Sequence, residues 1–109
     1  MAAALITPAV IQRHPVAMGV HSGSTERRLM EGWAEGTKVT AGDWFAATAF
    51  GLSTSQTAQL VNFECVLRSA STNDYVADTV VYFQDTGRIV LQGATASAAT
   101  AFLKLRWYE

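Results

Sequence analysis

Charge is scarce in this chain of 109 residues. Asp, Glu, Lys and Arg make up 16% of it and the net charge is −1, against roughly 25% charged residues in a typical soluble domain. With no excess of either sign there is no electrostatic footprint for nucleic acid or for an anionic membrane surface. Cysteine occurs once, at Cys65, so an intrachain disulfide is excluded and no oxidising compartment is implied. The two histidines, His14 and His21, have no cysteine or further histidine near them, and a metal centre needs three or four convergent ligands. No apolar run approaches the roughly 18 residues of a membrane span. The opening MAAALITPAVIQRHPVAMGV lacks a basic leader, and Pro8 and Arg13 interrupt its apolar part. It does not fit a signal peptide, and the expectation is a soluble, unprocessed protein. A Gly-rich phosphate loop, a nucleophile elbow and zinc-ligand spacing are also missing, so no cofactor is expected.

What is present is apolar and small. Hydrophobic residues make up 50% of the chain, and its length suits one domain on a scale of roughly 100–200 residues per domain. The surface must then be rich in neutral Ala, Ser and Thr, which repels neighbours weakly and suits a protein living in an assembly. The chain divides into an extended N-terminal arm, residues 1–24, held open by Pro8 and Pro15, and a body, residues 25–109.

The body alternates with period two. In VNFECVLR, Val61, Phe63, Cys65 and Leu67 share a face opposite Asn62, Glu64 and Arg68. In FLKLRWY, Leu103, Leu105 and Trp107 oppose Lys104 and Arg106. WFAATAFGL puts Trp44, Ala46, Thr48, Phe50 and Leu52 on one side and mostly Ala and Gly on the other. ERRLMEGW and TKVTA are less regular, and ATASAATAFLKL reads as a loop entering a strand rather than a helix. About seven or eight short antiparallel strands predict an all-β fold, a single β-sandwich or jelly-roll-like barrel.

The triplet Asp85-Thr86-Gly87 matches the active-site signature of aspartic proteases. Those enzymes need two carboxylates sharing a proton, which a short chain obtains by dimerising. Here Gln84 and Arg88 frame the triplet where a buried catalytic loop has small apolar residues, and no later Ile-Gly-Arg-type element follows. A three-residue hairpin loop explains the triplet instead, with Gly87 at positive φ. That loop pairs Gln84 with Arg88, Phe83 with Ile89, Tyr82 with Val90 and Val81 with Leu91, and sorts Val81, Phe83, Ile89 and Leu91 onto one apolar face. Asp85 is read as a turn residue and the chain as a non-enzyme.

Other chemistry-bearing residues have plain readings. Cys65 alternates with apolar neighbours and is read as a buried hydrophobe. Asp43, Asp74, Asp78 and Asp85 fall in or beside turns, and a calcium site from Asn73, Asp74 and Asp78 matches no loop motif. Trp44 and Trp107 are expected in the core, whereas Trp33 is either a rim anchor for a partner or partly buried in its own domain. The arm carries apolar residues without a period that folds them locally: Leu5, Ile6, Val10, Ile11, Val16 and Val20. With Trp33 they are the candidate interface, docking on a neighbouring subunit as a strand or strap, or alternatively packing along the chain's own body.

The apolar arm, KVTAGDWF and DTGRIVLQGA give the chain the layout of small structural proteins of tailed bacteriophage virions, and it resembles the capsid decoration or cement type. The resemblance implies a homo-oligomer, a trimer in particular, at symmetry axes of a capsid in the virion. Its partner would be a capsid or other virion protein, with no nucleic-acid or membrane partner. It also implies that the body folds without residues 1–22. Other virion roles (tail, connector, fibre attachment) and a small ligand-binding β-barrel are the alternatives.

Overall fold

The computed structural model describes residues 2–22, 25–52, 60–94 and 98–108, with residues 18–22, 25–27, 60 and 61 described by backbone alone. Eight strands run in chain order: β1 (Val10–Ser22), β2 (Thr25–Lys38), β3 (Trp44–Ala46), β4 (Leu60–Ser69), β5 (Tyr75–Asp78), β6 (Val80–Phe83), β7 (Arg88–Leu91) and β8 (Ala99–Tyr108). A 3₁₀ turn, Ala47–Phe50, follows β3. The strands form two antiparallel sheets, one of five in the order β1-β2-β8-β4-β5 and one of three in the order β3-β7-β6. The fold is all-β and sandwich-like, and the sheets do not close into a barrel.

Alternation sets which face each strand buries. Along β8 every second residue is buried, from Ala99 to Trp107, because the register brings Leu103 between Ala34 and Cys65, and Ala101 between Gly36 and Leu67. The smaller sheet answers with Phe45, Ile89 and Leu91, which like Leu103 and Leu105 are completely buried. Each such side chain contributes roughly 1.5–3 kcal/mol on removal from water. The inner face of β2 is unusual in being built from small residues, Gly32, Ala34 and Gly36. A Cβ on Gly32 would lie 2.7 Å from the Phe50 ring and 2.8 Å from that of Trp107, and one on Gly36 would overlap Ile6. These positions are sockets into which larger side chains of other elements fit.

Both open sides of the sandwich are closed by the chain itself. On one side β5 passes into β6 through the single residue Thr79. On the other, the segment before β1 first lies parallel to β3, with Ile6 N–H donating to Trp44 C=O at 2.7 Å and Trp44 N–H to Ala4 C=O at 3.1 Å. It then crosses to the larger sheet, where Ala9 N–H donates to Glu35 C=O and β1 pairs with β2.

Three expectations change here. The segment expected as an arm, residues 1–24, is extended, but its described part lies on the body as a bridging segment and the edge strand β1. The run WFAATAFGL is a strand only at Trp44–Ala46; the 3₁₀ turn then buries Ala47 and Phe50 on one side, and Gly51, at φ 83°, ends it. The β6–β7 hairpin is shifted by one residue from the expected register. Phe83 pairs with Arg88 and Tyr82 with Ile89 across a four-residue loop, Gln84–Gly87. Tyr82 and Val80 therefore pack toward the core, and Phe83 is exposed. In the observed turn the Gly87 N–H donates to Gln84 C=O and the Thr86 hydroxyl to Phe83 C=O. Gly87 has the expected positive φ, 68°.

Candidate functional site: the outer face of the larger sheet

Strand register places the outward side chains of the five-stranded sheet in rows that cross it. One row reads Val10, Glu35, Phe102, Val66, Ala77 from β1 to β5. The next reads Gln12, Trp33, Lys104, Glu64, and the one beyond it His14, Glu31, Arg106, Asn62. On the other flank stand Thr37, Thr100, Arg68 and Tyr75. An unpartnered sheet face normally carries polar residues. Here the first row is apolar except for Glu35, and Val10, Trp33, Val66 and Tyr75 are all exposed, Tyr75 by 64%.

Glu31 organises the polar part. Its carboxylate accepts the Arg106 Nε–H at 3.1 Å and the Trp33 Nε1–H at 3.2 Å, with Lys104 Nζ at 3.5 Å and His14 Nε2 at 3.3 Å. Burial by itself would raise its pKa, but the Arg106 and Trp33 hydrogen bonds and the Lys104 charge outweigh it and hold it below the usual range. Lys104 also lies 3.8 Å from Glu64 and over the Trp33 ring at 5.2 Å. The Arg68 guanidinium lies over Phe102 at 5.7 Å, and Tyr75 is tilted against the same ring. Between Trp33, Phe102 and Val10 opens a groove of about 350 Å³ whose polar lining is Gln12, His14 and Glu35.

The remaining candidates are structural. Asp43 accepts N–H groups from Ala4, Val39 and Thr40, the last two on one oxygen at 2.8 and 3.0 Å. Burial works to raise its pKa, and the three backbone donors bring it below the ordinary value. Cys65 is buried, and burial, helped by the Asp78 charge, pushes its thiol up to about 12, which disfavours the thiolate near neutral pH. Asp85 is exposed at the hairpin tip. Asn73, Asp74 and Asp78 do not converge. Asn73 and Asp74 lie in the β4–β5 turn, whereas both oxygens of Asp78 are engaged inside the fold by Lys38 and the Gly93 N–H. Among the described residues no group of three or more His, Cys, Asp or Glu could hold a metal ion, and no helix is long and apolar enough to cross a membrane.

The predicted interface residues divide. Leu5, Val10, Ile11, Val16 and Trp33 are exposed. Ile6 belongs to the chain's own core, seated against Gly36, and is not available to a partner. The side chain of Val20 lies outside the described residues, as does that of His21. Trp107 is buried as expected, but Trp44 is only half-buried, with the Arg88 guanidinium 4.2 Å from its ring centre. Sequence reasoning missed the Glu31 cluster and the buried Lys38–Asp78 pair; both join residues far apart in sequence, and only the register brings them together. Comparison with protein-family models, curated proteins and solved structures finds no match to this chain.

Proposed function

We propose that this chain is a non-enzymatic structural subunit of a virion, of the capsid decoration type, which joins its own copies and a shell protein through the outer face of the larger sheet. The observation that carries the reading is the row in which Val10, Phe102, Val66 and Ala77 of four strands flank Glu35 of β2, with Trp33 and Tyr75 beside it, all of them exposed except the half-buried Phe102. Exposed apolar surface gathered on one face, with a charged border, is what association surfaces present. The low charge of the chain supports the same reading. A contact at this face replaces the expectation that a free arm does the docking.

Light scattering on a sizing column tests the reading with the full chain and a V10K/V66K variant. Both substitutions are at exposed positions and leave the core intact. The native chain should run as an oligomer, a trimer for a decoration subunit, and the variant as a folded monomer. A native chain that stays monomeric at the highest workable concentration, or a variant with unchanged mass, refutes self-association through this face. Tail, connector or fibre-attachment roles would show as a different oligomer symmetry.

A further inference from the structure

We infer that the groove between Trp33 and Phe102 is the seat for an arginine side chain of a partner protein. The inference deepens the reading of the outer face as an association surface and rests on it. It starts from an imbalance of charge. Glu31 is met by Arg106, Lys104 and His14, and Glu64 by Lys104. Glu35, between Val10 and Phe102 in its row, has no cation within ion-pair distance among the described residues. It is an exposed carboxylate with apolar side chains directly opposite on both sides, and it lines the groove.

Charge, shape and wall chemistry select the same ligand. A carboxylate flanked in its row by Val10 and the Phe102 ring, in a groove that the Trp33 indole also lines, suits a planar cation that can lie along a ring while donating two parallel N–H bonds. Guanidinium does both; ammonium offers a point charge without the plane. The fold already makes such pairings with its own side chains, in Arg88 over Trp44, Arg68 over Phe102 and Arg13 over Trp107. At about 350 Å³ the groove has room for one long side chain, and Gln12 and His14 at its β1 wall offer further polar contact.

The test is a ¹⁵N and aromatic NMR titration of the full chain with N-acetyl-arginine amide, its neutral isostere N-acetyl-citrulline amide, and methyl glucoside. For a single side chain the dissociation constant should be on the order of millimolar. Arginine should move the Trp33 indole N–H and the Phe102 ring, citrulline should bind at least about tenfold more weakly, and E35Q should remove that difference. Equal binding of arginine and citrulline, or an E35Q chain that still prefers arginine, overturns the inference. Tighter binding of the glucoside overturns it in favour of a sugar site. The citrulline comparison uses the native chain and does not depend on how E35Q folds. Arginine binding in a chain whose V10K/V66K variant still assembles would refute the association reading alone. Loss of assembly without arginine preference would refute this inference alone.

Discussion

Replacing Lys38 by Met should destabilise the fold more than any surface change. Lys38 ends the inner face of β2, where a hydrophobe would be expected, and its side chain and that of Asp78 are both completely buried. The ammonium lies 2.7 Å from Asp78 Oδ2 and donates to Gly93 C=O at 2.6 Å, while Gly93 N–H donates to Asp78 Oδ1 at 2.8 Å. The cluster ties the end of β2 to the end of β5 and to the loop after β7. In K38M the carboxylate keeps its one backbone donor and loses its only buried counter-ion among the described residues. Removing one partner of such a pair costs roughly 3–5 kcal/mol, out of a total stability of roughly 5–15 kcal/mol for a domain. At about 4–6 °C per kcal/mol for a domain just over 100 residues, the melting point should fall by roughly 12–30 °C. The double variant K38M/D78L removes both charges and leaves only the Gly93 N–H and C=O unpaired, at roughly 1–3 kcal/mol each. It should therefore be less destabilised than the sum of the single variants by about 2 kcal/mol or more. Urea melts of the four proteins measure that coupling directly. A K38M cost below about 1 kcal/mol, or strictly additive single changes, would refute the reasoning, because it would mean the pair is hydrated.

Four further outcomes follow from the same geometry. D43A strips three N–H groups of their acceptor and should cost about 1–3 kcal/mol. Asp43 and Glu31 both have folded-state pKa values below their unfolded ones, so they stabilise the fold above about pH 4 and that contribution is lost as the pH falls through the folded values. Urea midpoints between pH 2.5 and 7 should drop at the acid end, and less steeply in D43A. G36A forces a methyl into the Cγ2 of Ile6 and should cost roughly 1–3 kcal/mol, and less in an I6A background, which removes that methyl; denaturation of the four proteins checks the sign of the coupling. Deleting residues 2–9 removes the buried Ile6 and uncovers the edge of β3, and should cost at least about 3 kcal/mol, read as faster amide exchange at Trp44 and a lower melting point.

The strands legible in the sequence were those whose inward residues are large. Phe63, Cys65 and Leu67 of β4, and Leu103, Leu105 and Trp107 of β8, stand out as apolar against polar neighbours, and all six face the core. β2 reads as irregular because, after Met30, its inward positions are Gly32, Ala34, Gly36 and Lys38, which carry almost no hydrophobic signal. Their partners, Phe50, Trp107, Ile6 and Phe45, lie elsewhere in the chain, and a socket cannot be recognised without the side chain that fills it. The hairpin at Asp85 shows a different limit. Alternation fixes a face only relative to its partner strand, and a loop of three or four residues changes the partner by one. The candidate site was hidden for the same reason: Val10, Glu35, Phe102 and Val66 are scattered in sequence and meet only across four strands in register.

The edges of the two sheets explain why association should use the face. β5 and β6 are four residues each, too short to template another strand well, and β3 is covered by Ala4–Ile6. β1 is long, but it carries Pro15 and has register shifts between Pro15 and Ala17 and between Ala17 and Val20, both of which interrupt a continuous row of backbone donors and acceptors. The exposed Val10 and Ile11 precede that interruption, in the regular stretch beside Trp33 and Glu35. A fold that blunts its edges yet leaves an apolar row across its broad face discourages indiscriminate strand pairing while keeping one surface on which side-chain shape and charge can select a partner. The contrast between Glu31, held by three basic side chains, and Glu35, met by none among the described residues, is where that selection would act.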